Sequence, residues 1–174
     1  MRGFVENVPL FLPAFLVAVV AAVVLTPTIA PMLASRRWPT FLLIVSIGLI
    51  GAATLTPLQS ALDGVLLHPG TCDLRRVGLS DLIFGGLRWN DARLNVLLFM
   101  PLGVAIGLLR PSRRRLVLLA VAALSPIVIE LTQMLAVQLG RGCQLADVVD
   151  NLIGLAMGFG VGIVGSRLLR DTDR

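Results

Sequence analysis

Five apolar runs, at residues 8–30, 39–58, 94–109, 116–139 and 148–169, occupy most of this 174-residue chain. A bilayer-crossing helix consumes roughly 20 residues, so runs of this length leave little chain for anything but a membrane bundle. All five read as helices, because an open strand cannot satisfy its backbone in lipid and no ten-residue alternation of a barrel strand is present. Composition agrees: 56% of residues are hydrophobic, 14% are charged and the mean hydropathy is +0.90. The expected fold is all-α, a polytopic bundle of five transmembrane helices forming a single domain over residues 1–174, with a long extracytoplasmic loop between helices 2 and 3. The third run is the shortest and carries Pro101, which predicts a kink or a start further upstream near Asp91.

The net charge of +5 arises from arginines alone. In a chain this apolar, basic residues report topology before any nucleic-acid partner, and none is expected. Ser35-Arg36-Arg37 follows the first run, Arg110 to Arg115 follows the third, and Ser166 to Arg170 ends the fifth. These clusters alternate as five helices require, which places the N-terminus outside, the C-terminus inside, and residues 59–93 and 140–147 on the extracytoplasmic side of a cell membrane. Arg75, Arg76, Arg88 and Arg93 in the long loop run against this and are offset by Asp63, Asp73, Asp81 and Asp91. Trp38 and Trp89 fall at span ends, as interfacial aromatics do.

Cys72 and Cys143 then share the oxidising side, where a disulfide or two unrelated small residues are both open readings. Within the long loop, residues 78–89 start with a serine able to cap a helix, which fits a surface-lying lid or a loop packed on the bundle. His68 has no second histidine for a metal site.

The apolar runs contain a set of polar residues. Glu130 stands about nine residues from the outer end of the fourth run, about 14 Å deep and near the middle of the bilayer. Charged residues there cost on the order of 3 kcal/mol and mark functional sites by default. Gln133 lies on the same face, while Ser125 and Pro126 just before are able to bend the helix. Arg141 follows Glu130 by eleven residues, about 16 Å along a straight helix. Either the helix ends early and the Gly140 region folds back, or Arg141 guards the mouth above a deeper Glu130; the second arrangement is the one expected. Asp147 and Asn151 share a face of the fifth helix, with Asp150 nearby. Gly154, Gly158 and Gly162 continue that stripe as a close-packing surface, or as a place for a lipid chain. Asn95 repeats the polar placement on the third helix.

Together these residues predict an outward-opening cavity with Glu130 and Gln133 at its floor and Arg141, Asp147, Asn151 and Asn95 at its rim. The alternative is interhelical glue, the ordinary role of any one intramembrane polar residue. An arginine fork suits a phosphate or carboxylate, and a buried glutamate suits acid or base work. Glu130, Asp147 and Arg141 are the catalytic candidates; Asn95, Gln133, Arg141 and Asn151 are the substrate-binding candidates. A divalent cation between the carboxylates is a weaker expectation, since no known metal motif is present.

Asn95, Pro101-Leu102-Gly103, Glu130-Leu131, Gln133, Arg141, Asp147, Asn151 and Gly154 stand in the order of the signature of the VanZ-like family, named for a teicoplanin-resistance membrane protein. The chain resembles that family most strongly over residues 91–160. It departs from it at Gln144, where many relatives carry an acidic residue, and in having Asp150 as an extra one. The family's activity is unsettled. The resemblance implies kinship with multi-helix membrane enzymes acting on lipid head groups, including phosphatidylserine synthases, and one branch carries glycopeptide resistance. The function expected is a lipid head-group transferase or hydrolase of the cell envelope, with membrane lipid as partner. The competing expectation is a non-catalytic protein that binds a lipid or glycopeptide.

Overall fold

A computed structural model describes residues 6–64, 72–74 and 91–171, the side chains of 91–92 and 169–171 aside. The predicted lid at 78–89, His68, Trp89, Arg75, Arg76, Arg88, Asp81 and the Asp91 side chain lie outside these residues. Five long helices carry the fold: α1 Phe11–Met32, α2 Arg37–Thr54, α4 Asp91–Leu108, α5 Arg113–Leu135 and α6 Leu145–Asp171. A short α3, Gln59–Leu62, follows α2, and a single 3-10 turn, Val137–Leu139, follows α5.

Local chemistry sets the helix ends. Pro39 is in the first turn of α2, where its missing N–H has no intrahelical partner to lose. Thr56 precedes Pro57, which disfavours helical dihedrals at that residue, and α2 stops at Thr54 instead of running to residue 58. The Ser112 hydroxyl caps α5 by accepting from the Arg115 backbone N–H at 3.2 Å. α5 passes unbroken through Pro126, yet it ends at Leu135, four residues before the end of its apolar run. Gly140, at φ 66°, makes the left-handed turn that reverses the chain. α4 starts at Asp91, upstream of its apolar run, and contains Pro101.

Four of the helices are long and apolar enough to cross a membrane: Phe11–Met32, Arg37–Thr54, Arg113–Leu135 and Leu145–Leu168. α4 is apolar but shorter, over Arg93–Leu108, about 24 Å at the helical rise. The chain is thus a multi-pass membrane protein with four clear spans; the expected fifth is the short helix. Apolar side chains cover the outside, with Leu16, Val17, Val20, Val23 and Val24 of α1 all exposed, as suits lipid.

α4 is the central helix. Its Phe99, Leu102, Ala105 and Ile106 form the core with Leu43 and Ile50 of α2, Ala122 and Ile129 of α5 and Leu155 of α6. α4 and α6 run parallel and interlock through glycine. A Cβ on Gly154 would strike the carbonyl of Val96, one on Gly158 that of Met100, and one on Gly162 that of Val104. Gly103 and Gly107 return the relation against Leu155 and Phe159. Four-residue steps on both helices keep the partners in register, so this is close packing of backbone on backbone and leaves no room for a lipid chain. Buried hydroxyls elsewhere are satisfied within their own helices: Thr26 donates to the Ala22 carbonyl, Ser46 to Leu42 and Thr54 to Ile50 at 2.6–2.7 Å.

The two ends of the bundle differ in charge. Arg114 donates to the Met32 carbonyl, joining the start of α5 to the end of α1. Arg115 places its guanidinium 5.5 Å from the Phe159 ring centroid of α6. Arg36, Arg37, Arg110 and Arg113 share this end. The opposite end holds the close of α2, the close of α5, the start of α6 and the Cys72–Cys143 disulfide, with Cα atoms 4.6 Å apart.

Candidate functional site

The early end of α5 relocates Glu130. It stands five residues from Leu135, about 7–8 Å from the helix end rather than about 14 Å. The chain does fold back at Gly140, against the preferred arrangement of a straight helix with Arg141 far above. Glu130 Oε2 accepts the backbone N–H of Gln144 at 2.7 Å, and the carboxylate is only 4% exposed. Gln144 immediately precedes α6, so the acid of one helix meets the positive end of the next.

Gln133, one turn further along α5, donates its amide N–H to the Thr54 carbonyl at 2.9 Å and so ties α5 to the end of α2. That carbonyl is among the last of α2, which α2 itself leaves without a helical donor. Two backbone bonds join the 72–74 segment to the same turn, Asp73 N–H to the Cys143 carbonyl and Leu145 N–H to the Asp73 carbonyl, each 2.9 Å. Leu58 N–H donates to the Leu139 carbonyl at 3.0 Å. The 136–144 connection is thus stitched to both neighbouring loops and to Glu130.

Arg141 is held in this connection. Its Nε donates to the Thr56 carbonyl at 3.4 Å, while Nη2 is buried and has no hydrogen-bond partner. Burial pushes the guanidinium below its ordinary range, and the nearby Asp147 and Glu130 carboxylates act in the opposite direction. Asp147 lies in the first turn of α6. One turn deeper, Asn151 is 2% exposed, and its Oδ1 is buried without a donor. Such orphaned polar atoms cost free energy and call for a partner.

The structure therefore brings Glu130, Arg141 and Asp147 into electrostatic contact, with Asn151 one turn below Asp147 and Gln133 one turn from Glu130. Asn95 is half-buried at the same end of α4, beside the Val96 that packs on Gly154; among the described residues no hydrogen bond joins it to the others. Sequence reasoning missed the backbone partners, Thr54, Thr56 and Gln144, since carbonyls and amides carry no residue signature. Gly140 was the one available signal for the fold-back. Among the described residues no group of three or more His, Cys, Asp or Glu is placed to hold a metal ion.

The VanZ/LLP1 family profile matches residues 14–166. This chain belongs to the VanZ/LLP1 family. The match extends well beyond the 91–160 signature and takes in α2 and most of α1. No curated protein and no solved structure shows significant similarity to this family member.

Proposed function

We propose that this VanZ/LLP1 protein crosses a bacterial membrane five times and holds the phosphate of a lipid head group at the extracytoplasmic end of its bundle. The carrying observation is the Arg141 guanidinium, fixed through Nε on Thr56 with a buried Nη2 that no protein atom satisfies. A phosphate oxygen supplies the missing acceptor and the charge that burial makes desirable.

Helix connectivity supports the fifth crossing. α2 closes beside the end of α5, and α5 begins beside the end of α1, so residues 55–112 must return the chain from one end to the other. α4 is the one long apolar helix among the described residues of that stretch, and its parallel seam with α6 gives it the required direction. Arginines at one end and a disulfide at the other support an extracytoplasmic N-terminus and a cytoplasmic C-terminus.

A catalytic step, in which Glu130 or Asp147 serves as acid or base on that head group, is the second reading. It is favoured by the electrostatic coupling of both carboxylates to Arg141.

Native mass spectrometry of the protein extracted in mild detergent tests the binding. A phosphate-bearing lipid should stay with the wild type and be lost from Arg141→Gln; equal lipid retention in the two would refute the reading. Turnover of a membrane lipid extract by the wild type, abolished in Glu130→Gln, would establish the catalytic reading over simple binding. For orientation, Gln138→Cys in a Cys72→Ser/Cys143→Ser background should label with an impermeant thiol reagent on intact cells, and Ser112→Cys should not. The reverse pattern would invert the orientation.

A further inference from the structure

Arg141 Nη2 is a donor that lacks an acceptor; Asn151 Oδ1 is an acceptor that lacks a donor. The second orphan is the more demanding, because Asn151 is 2% exposed and no neighbouring protein group turns toward that oxygen. Thr26, Ser46 and Thr54 are each bonded within their own helix, whereas Asn151 Oδ1 joins Arg141 Nη2 and, at the opposite end of the bundle, Arg115 Nε as a buried orphan among the described residues. Asp147 links the two orphans: it acts electrostatically on Arg141 and shares a face of α6 with Asn151, about 6 Å up the helix.

Chemistry narrows the ligand further. Asp147 and Asn151 present a carboxylate and an amide oxygen on one face of α6, and both accept. A cationic group of the ligand suits them, and it must carry N–H groups, since Asn151 Oδ1 needs a donor and a quaternary ammonium has none to give.

We infer that the head group held here is a phosphodiester bearing a primary ammonium on a short spacer, the phosphate on Arg141 and the ammonium between Asp147 and Asn151. The short spacer follows from Asp147, whose charge acts on Arg141 and which lies one turn from Asn151 on α6. This inference rests on the reading of Arg141 as the phosphate anchor, and it adds the specificity that Asn151 confers.

The test measures lipid retention by the full-length protein in nanodiscs of phosphatidylethanolamine, phosphatidylglycerol or phosphatidylcholine, each followed by detergent release and native mass spectrometry. The wild type should retain phosphatidylethanolamine over phosphatidylcholine by about tenfold, the factor one hydrogen bond of about 1.4 kcal/mol supplies. It should also prefer it to phosphatidylglycerol. Asn151→Leu fills the same volume without an acceptor, and should bring phosphatidylethanolamine and phosphatidylcholine to equal retention while leaving binding dependent on Arg141.

Equal retention of the three lipids by the wild type, with Arg141→Gln still abolishing binding, overturns the ammonium assignment and leaves the phosphate anchor standing. A preference for phosphatidylglycerol does the same. Retention that survives Arg141→Gln removes the anchor and this inference with it. The comparison among lipids uses the wild type alone, so a poorly folding variant cannot mask the answer.

Discussion

The α4–α6 seam and the polar end of α5 are two solutions to burying backbone in lipid, and they leave opposite accounts of what is satisfied. In the seam, five glycines put one helix's backbone against the other's, and no side chain stands between them. At the polar end, Glu130, Gln133 and Arg141 reach across to backbone groups of other elements and leave two polar atoms without partners. A seam of this kind fixes position, because any added atom meets main chain. The polar end fixes position too, yet it retains unspent hydrogen-bonding capacity, and that residue of unmet chemistry separates a site from a joint.

The largest expected effect comes from breaking the seam. Gly158→Leu would drive a side chain into the Met100 carbonyl and the Val104 backbone, neither of which can swing aside. Overpacking commonly costs about 1–3 kcal/mol even where side chains yield, so a clash with main chain should exceed that range. Loss of a monodisperse peak on size exclusion after detergent extraction is the expected outcome. Gly160→Ala, at a glycine with open space around it, should elute as the wild type does.

Next is the link that holds the polar end in place. Cys72 and Cys143 close a loop across 71 residues of sequence, next to Arg141 and to Gln144. Replacing both with serine should lower stability by about 2–4 kcal/mol. Thermal unfolding measures this, and reductant should move the wild type to the variant's midpoint while leaving the variant unchanged. If reductant shifts neither, the bonded loop contributes nothing to the polar end.

How much of this contrast was legible in the sequence follows from its physics. Lipid imposes helices, so the apolar runs announced all five long elements, and four of them meet the full length of a span. The glycine stripe at 154, 158 and 162 was visible as a packing face, but its partner was not, since nothing in the α4 sequence declares which neighbour its glycines meet. The polar residues were visible because they are rare in such a chain. Their geometry was not, because hydropathy continues through residues 136–139 while the backbone stops at Leu135 and turns at Gly140. Periodicity read a straight helix and placed Arg141 about three turns from Glu130. The actual fold-back depends on carbonyls and amides, at Thr54, Thr56 and Gln144, which every residue type possesses.

A smaller effect should separate the two roles of Glu130. Glu130→Ala leaves the Gln144 N–H buried without an acceptor, which should cost about 1–3 kcal/mol in thermal or denaturant unfolding. Glu130→Gln keeps an oxygen at that place and should recover most of the loss, while altering the charge beside Arg141. Stability that falls equally in both variants would show that the carboxylate's charge, rather than its acceptor, holds the start of α6.

The smallest stability effect belongs to Arg141, and its smallness is the point. For this guanidinium the burial penalty exceeds the attraction of Asp147 and Glu130. Removing one member of a buried charge set strands its partners, but the guanidinium's own burial penalty, the larger contribution here, is relieved at the same time, and the two act against each other. In lipid-depleted detergent, Arg141→Met should therefore unfold within about 1 kcal/mol of the wild type, the lost bond to Thr56 being offset by the relieved desolvation. Added phosphatidylethanolamine should raise the midpoint of the wild type and leave that of Arg141→Met where it was. A seam residue behaves in the opposite way, since its loss is felt with or without lipid. If Arg141→Met is several kcal/mol less stable with no lipid present, the arginine is a structural joint like the glycines, and the polar end has no spare chemistry to offer a ligand.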